Sequence, residues 1–150
     1  MAGPVFCNTI KYLRNFFYVM RYSNYAGIAA ALALIVAAYF PWITIESIPV
    51  TVTGMGAPVK TVFGKPALMN LYLSGLCVVL FLIPKLWAKR INPFAGAVNF
   101  AWALRNLLLL STCRNGECPS RHPWLYVYFA LAFLVLVMTV LPEMKEKKQP

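Results

Sequence analysis

The chain has 150 residues, of which 61% are hydrophobic and 12% are charged, and its formal net charge is +10. A soluble globular domain carries roughly 25% charged residues, so this composition excludes a chain whose whole surface faces water. The length allows one domain, residues 1–150, and four separate apolar blocks divide it. This pattern predicts an all-α integral membrane protein with four transmembrane helices.

The N-terminal segment 8–22 is predicted to form an interfacial amphipathic helix. Apolar residues recur there at helical spacing, and Lys11, Arg14 and Arg21 form a neighbouring basic stripe. A basic helix of this kind lies in the membrane interface and attracts anionic headgroups. Two interpretations stay open, a juxtamembrane anchor for the first span and a docking helix for a partner subunit.

The apolar blocks predict the positions of the spans. Each block has about 16 to 21 residues and would reach about 24 to 31 Å as a helix, near the lower limit for crossing a bilayer. The predicted spans are 25–45, 68–84, 94–110 and 124–141. The predicted connections are an outer loop at 46–67, an inner loop at 85–93, an outer loop at 111–123 and a tail at 142–150.

Basic residues predict the orientation. Nine lysines and arginines fall before the first block, between the second and third, or after the fourth, whereas the other two connections hold four. The excess marks the cytoplasmic side, so both termini are expected inside and the loops 46–67 and 111–123 outside. The positive charge then reflects topology and attraction to anionic lipid headgroups on the inner face, and no nucleic-acid partner is expected. Size and topology suggest a bacterial cytoplasmic membrane.

The first outer loop has a strand-like pattern. The stretch VTVTGMGAPVKTVFGKP places two β-branched, alternating runs around a glycine-rich turn, which predicts a β-hairpin at roughly 48–64. Val50, Val52, Val59 and Phe63 would share one face. The loop lacks Cys, His and Asp, so it is interpreted as a contact surface and not as a catalytic loop.

The second outer loop contains a cysteine pair. Cys113 and Cys118 bracket Asn115-Gly116, a dipeptide typical of a two-residue hairpin turn. That register would place the two thiols opposite each other, and a loop outside the cytoplasm favours a structural disulfide. A redox-active pair, a metal site completed by His122 and free thiols are the alternatives. The Cys-x-x-Cys spacing of redox centres is absent.

Few residues within the spans can carry chemistry. The chain has four acidic residues and one histidine, and none lies in the middle of a predicted span. Proton-coupled transport, haem ligation and hydrolytic or metal chemistry all need carboxylates or histidines in such positions. The sequence therefore predicts a non-catalytic protein without a metal or cofactor.

A polar group near the outer end of the third span is the candidate ligand or lipid pocket. Spacings of three and four place Asn99, Trp102 and Asn106 on one helical face, with Arg105 beside them. An intramembrane arginine is a functional candidate, although it could instead extend outward and pair with Glu46. A ligand would be an anionic headgroup, a quinone or a partner carboxylate. The expected pocket, centred on Arg105, comprises Arg105, Asn106, Asn99, Trp102, Asn70, Ser74 and Glu46.

The predicted membrane topology resembles that of two known groups of membrane proteins but matches neither. Four spans and paired outer cysteines resemble the quinone-coupled disulfide oxidases, which carry Cys-x-x-Cys in the first outer loop. A β-rich first loop is similar to that of tight-junction tetraspan proteins, which have their cysteine pair in that loop. The first outer loop here has no cysteine, so the sequence assigns no family.

Three functions follow as hypotheses. The leading one is a non-catalytic accessory or scaffold subunit of a larger membrane protein complex, with contacts through the outer hairpins and the basic helix. The expected partner is a larger membrane protein, and a homo-oligomer is the alternative. The second is a protein that binds or passively transports a lipid- or quinone-type ligand at Arg105. The third is a thiol-redox membrane enzyme that uses Cys113 and Cys118.

Overall fold

The computed structural model describes residues 23–46, 50–58, 64–113 and 118–141, and within them the protein is mostly helical. The described part contains four helices and one small sheet. The helices are α1 (Ser23–Ala37), α2 (Leu68–Leu82), α3 (Leu86–Ser111) and α4 (Pro123–Val140). The strands are β1 (Pro41–Ile45), β2 (Val50–Thr53) and β3 (Ser120–Arg121).

The first predicted span is wrong in its second half. α1 ends at Ala37, and Pro41–Ile45 forms a strand instead of the last turns of a helix. Proline lacks the N–H that a helix interior requires, and the following residues Ile43, Thr44 and Ile45 are β-branched and favour an extended backbone. The helical part is therefore 15 residues long, about 22 Å.

The predicted inner loop 85–93 is also wrong. α3 begins at Leu86 and continues through Pro93, so the break between α2 and α3 is only the segment 83–85. Pro84 explains this break, because a residue before proline is disfavoured in helical geometry and Ile83 is extended, with φ −82° and ψ 113°. Beyond it the sequence LWAKR consists of good helix formers, apart from the tryptophan.

The sheet differs from the predicted hairpin in its pairing. Its order is β2-β1-β3, with both pairs antiparallel. Val52 pairs with Ile43, and Ile43 also pairs with Arg121. The predicted hairpin at 48–64 therefore supplies β2, but β2 pairs with a strand that precedes it. The proposed second arm at 59–63 lies outside the described residues, as do the turn 114–117, the helix 8–22 and the tail 142–150.

The helices surround a common core in the ring order α1-α2-α3-α4, each contacting its two neighbours. The sheet packs against α4 through β1, and we call the end of the bundle that carries the sheet the cap end and the opposite end the far end. Trp42, Ile43 and Val52 of the sheet are fully buried, in one cluster with Leu34 of α1 and Tyr128 of α4. The sheet is thus continuous with the core of the bundle.

The outward faces of the helices are apolar. α3 and α4 are long and apolar enough to cross a membrane, and only 33% and 28% of their apolar windows are buried inside the molecule. α1 and α2 are shorter apolar helices. Large exposed side chains occur on each of the four, for example Val36, Leu82, Phe94 and Phe133.

Candidate functional site

Three asparagines meet between α2 and α3 near the cap end, together with one serine. We call Asn70, Ser74, Asn99 and Asn106 the asparagine cluster, and all four are buried. Asn70 and Ser74 are four residues apart on α2, and Asn99 and Asn106 are seven apart on α3, so each pair faces the other helix. The sequence placed the α3 members on one face, and the structure brings the α2 members against them.

Asn70 is the centre of the cluster. Its Nδ2 donates to the side-chain oxygen of Asn99 at 2.6 Å and to the Asn99 backbone carbonyl at 2.7 Å. Its Oδ1 accepts from Asn106 Nδ2 at 3.3 Å. Asn99 Nδ2 in turn donates to Ser74 Oγ at 3.1 Å. The amides thus satisfy one another, which removes most of the cost of burying them.

The cluster also fixes the chain that enters α2. The backbone carbonyl of Pro66 accepts from Asn106 Nδ2 at 2.8 Å and from Trp102 Nε1 at 3.3 Å. This carbonyl could not be predicted, because no residue pattern shows where a backbone oxygen will lie. The only local signal was the proline itself, two residues before the first residue of α2.

Arg105 lies outside the cluster and is exposed. Its Cζ is 4.8 Å from the centroid of the Trp102 ring, a cation–π distance. Glu46 is exposed just after β1, and the structure records no ion pair between these two described residues. The structure therefore groups Asn70, Ser74, Asn99, Trp102 and Asn106, with Arg105 on the outer side of Trp102 and Glu46 apart.

The two loop cysteines are joined. Cys113 and Cys118 form a disulfide with their Cα atoms 4.3 Å apart, and both residues are exposed. His122, the possible third metal ligand, lies beside the sheet. Its ring Nε2 is 2.9 Å from Thr44 Oγ1, and its backbone N–H donates to the Trp42 backbone carbonyl at 2.8 Å. Within the described ranges, no group of three His, Cys, Asp or Glu residues is placed to hold a metal ion.

An aromatic contact beneath the sheet was not foreseen. Trp42 is fully buried, its ring lies 4.4 Å from that of Tyr128, and its Nε1 donates to the Ala37 carbonyl at 3.1 Å. By its position in the sequence, Trp42 falls within the predicted span 25–45. In the structure this side chain instead fills the space between the sheet and the bundle.

No protein-family model, curated protein or solved structure matches the chain. Its function is therefore argued from its own geometry.

Proposed function

We propose that the chain is a four-span integral membrane protein of a bacterial cytoplasmic membrane, with both termini inside and the cap end outside. The apolar outward faces of all four helices support this proposal, since such surfaces are rare on soluble monomers. α1 and α2 have 15 residues each, about 22 Å, which suits a short span. The orientation is supported by the nine basic residues before the first apolar block, between the second and third and after the fourth, against four in the other two connections.

We further propose that it acts as a non-catalytic accessory or scaffold subunit of a larger membrane protein assembly. The observation that carries this proposal is the three-stranded sheet, which joins a strand from each outer connection and packs into the bundle core. A small sheet anchored in this way holds its outer face in one shape, and that rigidity favours specific contact with a partner. Thr51 and Ser120 are exposed residues of this surface.

The interior of the bundle supports the same proposal. Small residues bring the helices close together, and the amides of the asparagine cluster are already bonded to one another. The basic segment with Lys11, Arg14 and Arg21, which lies outside the described residues, would add a second contact surface at the inner face.

A photo-crosslinking experiment tests the subunit proposal. A photoreactive residue replaces Thr51 on the exposed side of the sheet or, as the matched control, Leu32 on the exposed face of α1. The tagged protein is irradiated in its own membrane and then purified gently. We expect one membrane protein in fixed stoichiometry, crosslinked from Thr51. Purification of the chain alone would contradict the subunit proposal, whereas crosslinks only between copies would assign the cap to a homo-oligomer.

The stacking of Arg105 on Trp102 favours a second candidate, a protein that binds a lipid- or quinone-type ligand. A guanidinium held over an aromatic ring is a preorganised donor for an anionic or carbonyl group. The test is the identity of small molecules that co-purify. A lipid or quinone present in the wild-type protein and absent from Arg105→Ala would support this candidate.

The exposed disulfide keeps the thiol-redox candidate open to a direct experiment. Cys113→Ser should abolish electron flow if the pair is catalytic. If the pair is structural, the same variant should lose stability and keep its partners.

A further inference from the structure

The outward surface shared by α2 and α3 is apolar along its middle and basic at both ends. On α3, every exposed residue between Arg90 and Arg105 is apolar. On α2, the exposed residues between Lys65 and Lys85 are likewise all apolar or aromatic. The two helices are adjacent and antiparallel, so Lys65 and Arg105 both belong to the cap end. The exposed residues of α3 between its two arginines are Ile91, Phe94, Ala97, Val98, Ala101 and Leu104. Those between Lys65 and Lys85 are Met69, Tyr72, Leu76, Val79, Leu82 and Pro84.

The length of this apolar strip is shorter than a typical hydrocarbon core. Arg105 follows Arg90 by 15 positions, which corresponds to about 22 Å along α3. The helix α2 also has 15 residues. The hydrocarbon core of a typical bilayer is about 30 Å thick. The helical part of the strip on α2 is thus as short as the strip on α3, and Lys65 and Lys85 each lie three residues beyond its ends.

The cap-end boundary of the strip has the composition of a headgroup site. Arg105 is stacked on Trp102, and Trp102 is itself fixed by its bond to the Pro66 carbonyl. Lys65 directly precedes Pro66 and is exposed, so a second cation belongs to the short segment that accepts the bond from Trp102. Tryptophan with basic side chains is the combination found at membrane interfaces, and a guanidinium binds phosphate in a bidentate manner.

We propose that Arg105, Trp102 and Lys65 bind the phosphate of an outer-leaflet phospholipid headgroup. This places the hydrocarbon boundary more than a turn inside the end of α3, so the protein fits a bilayer thinner than average or thins the bilayer around itself. The inference rests on the membrane placement proposed above and specifies its lipid partner. It also explains why an exposed arginine is tolerated within a long apolar helix, because its charge lies at headgroup level.

Lipid binding is the first test. Native mass spectrometry is carried out on the protein in an uncharged maltoside detergent with added dioleoylphosphatidylglycerol. We expect one tightly retained lipid in the wild-type protein and binding weakened roughly tenfold in Arg105→Leu, as for loss of one charge-assisted contact. Arg121→Leu is the matched control, because Arg121 is an exposed cation of the sheet that donates to the Ser111 carbonyl. Arg105→Lys should bind with intermediate strength, since it keeps the charge and loses the planar group.

Two results would overturn the proposal at this stage. One is equal retention of the lipid by Arg105→Leu and the wild-type protein. The other is displacement of the lipid by inorganic phosphate, which would identify the ligand as a free anion.

Bilayer thickness is the second test. Thermal unfolding is compared in vesicles of dimyristoleoyl-, dioleoyl- and dierucoylphosphatidylcholine, in order of increasing thickness. The wild-type protein and Arg121→Leu should be most stable in the thinnest vesicles, whereas Arg105→Leu should shift its maximum toward thicker ones because its apolar strip then continues through Leu108 and Leu109. An unchanged maximum in Arg105→Leu would overturn the headgroup site while leaving the membrane placement intact. A wild-type protein that does not partition into any of these vesicles would overturn both.

Discussion

The two ends of the bundle are held together by different interactions. At the cap end, α2 and α3 are joined by the amide hydrogen bonds of the asparagine cluster. At the far end, helices approach through glycines: a Cβ added at Gly27 of α1 would overlap the Phe81 ring of α2, and one added at Gly96 of α3 would lie 2.7 Å from Thr139 Oγ1 of α4. Between these helices, amide hydrogen bonds thus act at one end and close glycine contacts act at the other.

The difference teaches how each end specifies its helix pairing. Amide bonds are directional, so the cluster fixes which residues of α2 and α3 lie opposite each other. Glycine contacts are not directional, but they tolerate no added side chain. We therefore expect the cap end to be sensitive to loss of a polar group and the far end to be sensitive to gain of a methyl group.

The largest effect is expected from Asn70→Leu. This change removes the central amide, leaves Asn99 Oδ1 without its donor and leaves Asn106 Nδ2 with only the Pro66 carbonyl, so the free energy of unfolding should fall by about 2–3 kcal/mol. Equilibrium unfolding in mixed micelles, titrated with denaturing detergent, measures it. Met69→Leu, at the exposed neighbouring position, is the control and should be near neutral. A loss for Asn70→Leu no larger than that of the control would show that the cluster does not hold the cap end.

The disulfide offers the next test of the cap end. Replacing both cysteines in Cys113→Ser/Cys118→Ser opens a short loop with a sequence separation of 5, and the chain-entropy relation gives a loss of about 2 kcal/mol. The same titration, with and without reductant, measures it. The loss should add to that of Asn70→Leu because the two sites share no partner. A strongly non-additive result would mean that the loop and the cluster form one cooperative unit.

At the far end, Gly27→Ala should destabilise through overpacking. The new methyl group must displace the Phe81 ring, at a cost of about 1–2 kcal/mol. Gly75→Ala is the matched control, because nothing lies within 4 Å of a Cβ at that position, and the higher helix propensity of alanine should raise stability by up to about 1 kcal/mol. The double variant Gly27→Ala/Phe81→Leu should recover part of the loss. Equal effects of the two alanine substitutions would contradict the close-packed description.

The smallest effect is expected in the sheet. Thr44→Val keeps the β-branched shape and removes the 2.9 Å contact with His122 Nε2, so the loss should be about 0.5–1 kcal/mol. Thermal unfolding in detergent measures it, with Thr51→Val at the exposed position of β2 as the control. If both variants unfold at the same temperature as the wild-type protein, the side-chain bond between the two outer connections does not contribute to stability.

Local patterns explain what could be predicted. Four apolar helices and β-structure in the connections at the cap end follow from composition and short-range periodicity, and both are present. The spacing of Asn99, Trp102 and Asn106 placed them correctly on one face. The predictions failed where local preferences competed: Pro41 and its β-branched neighbours were counted with an apolar span because hydropathy does not distinguish a buried strand from a helix.

The asparagine cluster shows where sequence reasoning reached its limit. The residues were identified, but Arg105 was placed at their centre. In the structure Asn70 satisfies Asn99 and Asn106, and no place remains for the guanidinium, which stacks outside on Trp102. Whether Asn70 or Arg105 bonds to the other asparagines depends on how α2 and α3 are rotated about their own axes. The residue pattern of a single helix does not show that rotation.

By itself, the sequence determined an apolar, helical chain with most of its charges and turn-forming residues outside the apolar blocks, because these properties depend on residues close together along the chain. The tertiary structure decided which elements pair. Thr44 meets His122, 78 residues away, only because α1 and α4 are neighbours, and the same arrangement makes Pro41–Ile45 the central strand of the sheet. A strand needs partners for its backbone groups; β2 is close to β1 along the chain, but β3 reaches β1 only because α4 lies beside α1.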